Sequence, residues 1–292
     1  MQNAIKDILF SLGLTKEENI YEYFPTSRDR NDVSVLRCKE SGVVFLDRTD
    51  HISNKHYENY TDYSYWANGG RTEAVNKAYT DDYRRAQQFF SLINHKVWLD
   101  FGTGAGGILD LLGKEAKKTY AIELQRSCCE KLKELEYAVF SNIEEIPTSN
   151  LDVITLFHVF EHLVHPIETL KILRTKMSNK SKLIIEVPHA NDALLTQYNC
   201  EAFKKFTFWS EHLILHTKES LKLFIENAGF RNVEVLGFQR YPLSNHFYWL
   251  ANGKPGGHEK WAQLNSSEVE KAYSNLLNKL NMTDTLIAIA SK

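Results

Sequence analysis

Cysteine is scarce in this chain of 292 residues, which holds only Cys38, Cys128, Cys129 and Cys200. They form no C-x-x-C pair and no framework of the kind that staples small secreted domains. No signal peptide is recognisable at the start, so a reducing, cytoplasmic setting is expected. Long apolar runs are also lacking; none approaches the roughly 20 residues that span a bilayer. Neither charge sign dominates. Against 37 acidic side chains stand 35 basic ones, and no Lys/Arg cluster offers a footprint for nucleic acid. Internal repeats and low-complexity tracts are missing as well.

What remains is a globular composition. Hydrophobic residues make up 43% and charged residues 25%, enough for a sizeable core and too apolar for wholesale disorder. The pattern divides the chain. Residues 1–75 are expected to form an N-terminal appendage, opening with a short amphipathic helix broken by Gly13. Val33–Cys38 and Val43–Leu46 read as strands about the turn Glu40-Ser41-Gly42. His51–Trp66, with Tyr57, Tyr60, Tyr63 and Tyr65, reads either as an aromatic stripe packed on the core or as a lid over a ligand.

Residues 76–292 alternate strands with helices, the signature of a parallel sheet covered on both faces. Strands are expected at Lys96–Phe101, Lys118–Glu123, Ala138–Phe140, Asp152–Phe157, Lys182–Val187, Asn232–Gly237 and Thr285–Ala290. The fold class is therefore α/β, Rossmann-like, with a seven-stranded, mostly parallel sheet whose last strand is antiparallel. Asp152–Phe157 reads as a nearly continuous apolar run, interrupted by Thr155, and should be central. An insert, 240–283, with a Lys254–Gly257 turn and a helix Ser267–Leu280, precedes the last strand.

The most informative segment is Leu99-Asp100-Phe101-Gly102-Thr103-Gly104-Ala105-Gly106-Gly107. Small residues let the backbone turn sharply from strand to helix and approach a ligand at the carboxyl edge of the sheet. Glu123, about twenty residues on, closes the next strand, where a carboxylate can accept both hydroxyls of a ribose. Gly102, Gly104 and Gly107 also satisfy the dinucleotide fingerprint, so a nicotinamide cofactor is a rival. Asp100 argues against it, because a carboxylate there would repel a pyrophosphate but welcome a sulfonium and an ammonium. The candidate cofactor contacts are Asp100, Gly102, Thr103, Gly104, Glu123, Leu124, Phe157 and His158.

A second cluster follows the central strand. His158, Glu161 and His162 would face one way on a helix, and their spacing matches a zinc motif, H-x-x-E-H. That motif needs its own helix and a further ligand, whereas this one begins where a buried strand ends. No metal is expected. Glu161 and His162 serve equally well as partners in a helix cap.

Together these residues resemble the class I S-adenosylmethionine-dependent methyltransferases, in the branch holding ubiquinone-type and sugar methyltransferases. Leu99–Gly106 looks like the first motif of that family, Glu123 its acidic ribose ligand, Asp152–His162 the segment after its fourth strand, and Ile185-Glu186-Val187-Pro188 its fifth strand. The resemblance implies S-adenosyl-L-methionine as cofactor. Phe208-Trp209-Ser210-Glu211-His212-Leu213 is similar to a segment of deoxysugar C-methyltransferases in which the histidine serves near the transferred methyl. Val35–Leu46 resembles their zinc knuckle, but Ser41 stands where a second cysteine is expected and the other cysteine pair is missing. The strand Thr285–Ala290 is expected to be the last, without the large C-terminal domain of those enzymes. Both departures favour O-methylation of a sugar, a surface polysaccharide or a nucleotide sugar, over C- or N-methylation of a nucleotide-activated sugar. The expected base is His212, with His158 and His162 as further catalytic candidates and His189 in reserve. Trp209, Tyr241, Phe247, Tyr248 and Trp249 are candidates for stacking on the acceptor or for packing alone. A small-molecule partner, no nucleic acid, no membrane span and a possible homo-oligomer complete the expectations.

Overall fold

The computed structural model describes residues 3–53 and 70–292. The tyrosine-rich segment expected as a stripe or lid lies outside the described residues beyond Ser53. Chain order begins with α1 (Ala4–Ser11), β1 (Ile20–Phe24), β2 (Val35–Cys38), β3 (Val44–Leu46) and α2 (Arg71–Ile93). Then follow β4 (Val97–Phe101), α3 (Gly107–Leu112), β5 (Lys118–Ile122), α4 (Arg126–Glu134), β6 (Val139–Phe140) and β7 (Leu151–Phe157). After them come α5 (Pro166–Thr175), β8 (Met177–Pro188), α6 (Glu201–Thr207), β9 (Ile214–Leu215), α7 (Lys218–Asn227) and β10 (Arg231–Phe238). The insert contributes α8 (Leu243–Asn252), α9 (Gly257–Lys260) and α10 (Ser267–Lys279) before β11 (Thr285–Ser291).

A seven-stranded sheet of order β10-β11-β8-β7-β4-β5-β6 is the frame. β11 runs antiparallel to both neighbours and the remaining pairs are parallel, as expected from the strand–helix alternation. Neighbouring residues of one strand feed opposite faces, as strand geometry requires. Leu99, Ile154, Ile185 and Ala288 join one buried cluster; Trp98, Val153, Ile184 and Ile287 join the other. β7 sits fourth of seven, and Val153–Leu156 are buried throughout. A strand covered on both faces can carry an uninterrupted apolar run.

After β6 the chain crosses back to the other side of β4, so β4 is flanked by β5 and β7. That reversal leaves a crevice beyond the carboxyl ends of β4 and β7, where ligands bind in open sheets of this kind. Both of the segments singled out above leave the sheet there.

The N-terminal strands do not stand apart. β1, β2, β3 and β9 form a four-stranded sheet, with Val44 opposite Leu215 and Phe45 opposite Ile214. Val43, Val44, Phe45 and Leu46 are all buried in the same cluster as Leu99 and Ile154. Asn3 accepts a hydrogen bond from Lys6 N at 3.1 Å, capping α1, and its amide donates to Leu46 O at 2.8 Å.

The insert departs from expectation at α8, which the sequence concealed. Its buried positions include Ser244, Asn245 and His246 beside Tyr248 and Trp249. A helix that buries polar groups shows no clean apolar period. α10 matches its expected span apart from one residue at the end. No described helix is long and apolar enough to cross a membrane.

Candidate active site

The turn after β4 is held by paired amide bonds, Gly102 N and Thr103 N donating to Ile122 O at 2.8 and 3.1 Å. Gly102 has φ +77°, and a Cβ on it would lie 2.4 Å from Val159 Cγ2. Only glycine satisfies both the left-handed backbone and the contact with the turn after β7. Asp100 lies beneath this turn, 3% exposed. Thr155 accepts from Trp98 Nε1 at 2.9 Å and donates to Asp100 Oδ1 at 2.6 Å. Burial raises the Asp100 carboxyl pKa, against the pull of the Thr155 and Thr103 hydroxyls.

Glu123 does not point freely into the crevice. Its Oε2 accepts from Gly104 N at 2.7 Å, and its Oε1 from Leu124 N and Gln125 N, both at 2.8 Å. Three of a carboxylate's roughly four acceptor positions are thus filled, which ties the glycine turn to the end of β5. Burial nonetheless raises its pKa.

A cavity of about 390 Å³ opens over these turns, lined by Gly102, Gly104, Glu123, Leu124, His158 and His162 among others. Of the expected cofactor contacts, Asp100, Thr103 and Phe157 are not among its lining residues. Phe157 instead stacks on Phe89 at 5.6 Å with Arg85 over its ring. The last side chain of a strand alternates away from the next, so Phe157 faces α2 while His158 reaches the crevice.

After β7 the chain does not continue as the helix that the H-x-x-E-H spacing needs. His158 is left-handed at φ +55°, and Phe160–His162 is a single 3-10 turn. His158 Nδ1 lies 3.3 Å from Glu161 Oε1, and its Nε2 meets Arg240 Nη1 at 3.0 Å. Nε2 also lies 3.3 Å from Glu186 Oε1. Burial and Arg240 lower the pKa of His158, but the Glu161 and Glu186 carboxylates outweigh them and raise it. Despite burial, Glu161 is held near pKa 2, chiefly by His158 and His162.

Behind His158 is an ionic layer that sequence reasoning missed. Glu186 is fully buried in β8 and accepts from Arg84 at 2.8 Å and Arg85 at 2.7 Å. Burial opposes its charge, yet Arg85 above all keeps the carboxyl well below its ordinary range. Arg240, at the start of the insert, pairs with Asp81 of α2. The signal was available: a glutamate inside the apolar run Leu183–Val187 needs a buried cation.

His212 and His162 meet edge to face, ring centroids 4.9 Å apart, with Trp209 beside both. The His212 segment is pinned from the N-terminal side. Asp29 accepts from Ser210 N and Oγ at 2.9 and 2.6 Å, and Leu46 N donates to Leu213 O at 3.1 Å. Burial, then the neighbouring His162, push the His212 pKa down to about 3, so the ring is neutral at physiological pH.

A second cavity, about 230 Å³, shares His158 with the first. It is lined by His189, His212, Arg240 and His246, with Phe203, Tyr241 and Trp249 as its aromatic wall. His189 is spoken for at Nδ1, 2.8 Å from Thr283 O, and burial lowers its pKa to about 4. Phe247 is 46% exposed and Tyr248 packs against Trp261, so those two candidates do not line it.

A family model described as a methyltransferase domain matches residues 73–235. The chain belongs to this family. This methyltransferase also shares its fold with solved structures. A SAM-dependent methyltransferase from Archaeoglobus fulgidus is 22% identical at TM-score 0.51, over 73% of this chain and 93% of that one. Phosphoethanolamine N-methyltransferase 2 of Haemonchus contortus, solved with S-adenosyl-L-methionine, is 14% identical at TM-score 0.51, over 82% of this chain and 60% of that one. Comparison with curated proteins gave no match. The nicotinamide alternative is set aside by the family.

Proposed function

We propose that this methyltransferase moves a methyl group onto a hydroxyl of a small-molecule acceptor, a sugar or nucleotide sugar, with S-adenosylmethionine as donor. The observation that carries this reading is the pair of cavities meeting at His158, one over the glycine turn and one walled by histidines and aromatic rings. The first suits a cationic nucleoside. Its described lining includes Glu123 and Glu144 and neither lysine nor arginine, so it offers a pyrophosphate no counter-charge. Gly102 and Gly104 would let the backbone approach, Glu123 would take a ribose hydroxyl, and Leu124 with Ile143 would flank the base. Asp100 and Thr103 would support the turn from beneath. The bound cofactor supplies an electrophilic methyl on a sulfonium.

The chain's own contribution is placement and proton handling. Holding the acceptor oxygen in line accounts for much of the acceleration. His212 is neutral and faces the second cavity, so it can receive the hydroxyl proton; His162 lies beside it. His158 has both nitrogens engaged and orients Glu161 instead. Trp249 and Tyr241 would stack on the C–H face of a sugar. Asp29 and β3 of the N-terminal region act as a brace for the His212 segment, and 240–283 as the acceptor wall.

The test is transfer of labelled methyl to a panel of nucleotide sugars, polysaccharide fragments and amines, with product mass spectrometry after mild hydrolysis. Label on a sugar oxygen is expected. Label on carbon or nitrogen only would overturn the hydroxyl reading. Separately, Glu123→Ala should abolish calorimetric binding of S-adenosylhomocysteine, and retained micromolar binding would sink the cofactor cradle.

A further inference from the structure

We infer that Glu161, His162 and His212 form a binding site for one divalent transition-metal ion where the two cavities meet. Each residue offers one ligand atom, and these atoms lie within 4.8 Å of one another. Ligand atoms about 2.1 Å from a zinc-like ion stand roughly 3–3.5 Å apart, so side-chain rotations of about 1 Å close the shell. Two imidazoles and one carboxylate are the donor set of open zinc and non-haem iron sites, not of calcium or magnesium.

A second observation points to a ligand independently of the clustering. Glu161 is 0% exposed, and its Oε2 has no hydrogen-bond partner among the described residues. His212 Nδ1 is likewise buried and unpartnered. Buried polar atoms are nearly always satisfied, and leaving a charged oxygen bare costs more than a neutral one. A cation between the two supplies what both lack.

The frame around them is built as metal sites are. Leu213 N donates to Glu161 O at 2.9 Å, fixing the two segments together. The other oxygen of Glu161 faces His158 Nδ1, and His158 is backed by Glu186 at 3.3 Å. Outer partners of this sort orient a ligating carboxylate and set its basicity. This grouping differs from the H-x-x-E-H spacing weighed above, which required a helix; here the third ligand comes from the segment before β9.

His162 lines the cavity over the glycine turn and His212 lines the second one. Three protein ligands leave positions open for an acceptor oxygen and water. That use of the ion rests on the proposed function, whereas its binding does not. With the ion bound, His212 serves the acceptor as a ligand rather than as a direct base.

The experiment is a titration of the purified full chain with Co(II) alone, without S-adenosylmethionine, followed by visible absorption and calorimetry. One equivalent should bind, with ligand-field bands of a nitrogen–oxygen site and no thiolate charge-transfer band. His212→Ala and Glu161→Gln should each weaken binding at least tenfold, while His95→Ala leaves it unchanged. Circular dichroism and S-adenosylhomocysteine binding check that the variants fold. Should either variant fail to fold, paramagnetic shifts of the His162 and His212 ring protons in the wild-type chain decide the matter. Absence of stoichiometric binding, a thiolate band, or wild-type affinity in both variants would overturn the site. If the ion binds as described but no hydroxyl acceptor is methylated with or without it, the proposed function fails and the site stands.

Discussion

The turns after β4 and β7 leave the same edge of the sheet, yet they are made in opposite ways. The glycine turn is local. Its left-handed residues, its anchor on Ile122 O and its bond to Glu123 all come from one strand–turn–helix unit and the strand beside it. The histidine edge is assembled. His158 and His162 come from the turn after β7, His212 from a segment held by the N-terminal region, and Arg240 from the insert, tied to Asp81 of α2. A cofactor cradle can be written in contiguous residues because backbone geometry makes it. An acceptor site needs side chains from distant segments, and those must be braced.

Breaking the assembled edge should cost function with little loss of cofactor binding. His212→Ala is expected to lower turnover by about 10²–10⁴-fold, the usual range for removing a group that handles the substrate proton. Calorimetry with S-adenosylhomocysteine should stay near normal, and an unchanged turnover removes His212 from the role.

Next in size is the ionic layer behind it. Glu186→Gln strips the fully buried carboxylate from Arg84 and from Arg85, which is only 9% exposed along its side chain and keeps Asp82 alone at 3.1 Å. Breaking a buried pair in this way costs about 3–5 kcal/mol, readable as a drop in the urea midpoint. A loss below about 1 kcal/mol would show that the layer is solvated.

The local turn should break differently. Gly102→Ala forces an L-residue into φ +77° and against Val159, for about 2–4 kcal/mol. Val159→Ala in the same chain should recover the steric share but not the backbone share. Full recovery would mean that the left-handed conformation is not needed.

Acid should loosen the insert from α2. Arg240 holds Asp81 at a pKa of about 2 against the opposing effect of burial, below the ordinary 3.8. The folded chain therefore binds fewer protons there than the unfolded chain. The contribution is complete above about pH 4 and disappears as pH falls through 2. Urea melts at pH 5, 3 and 2 should show Asp81→Asn converging on the wild type, and a constant gap would refute the linkage.

The smallest effect is expected at the brace. Asp29→Ala removes both bonds to Ser210 and should lower turnover severalfold with cofactor affinity intact. Equal losses in both would mean that the N-terminal strands support the whole edge rather than the His212 segment.

Most of the sheet was legible because parallel strands covered on both faces are apolar and bounded by turns. β4, β7 and β8 were read to within a residue or two at their carboxyl ends. Two of the expected cofactor contacts do not line the cavity: strand alternation turns Phe157 toward α2, and Asp100 lies under the turn. α8 escaped because its buried face carries Ser244, Asn245 and His246, and hydropathy marks burial only when the buried side is apolar.

By itself the order of residues determined the strand–helix alternation, the glycine bend and the acid at the end of β5, since each depends on neighbours within one supersecondary unit. Only the folded chain decided that Glu161, His162 and His212 would meet, that Glu186 would face two arginines, and that the N-terminal strands would hold the His212 segment. Those contacts join residues far apart in the chain, and nothing in the local spacing of either partner records the distance that folding closes between them.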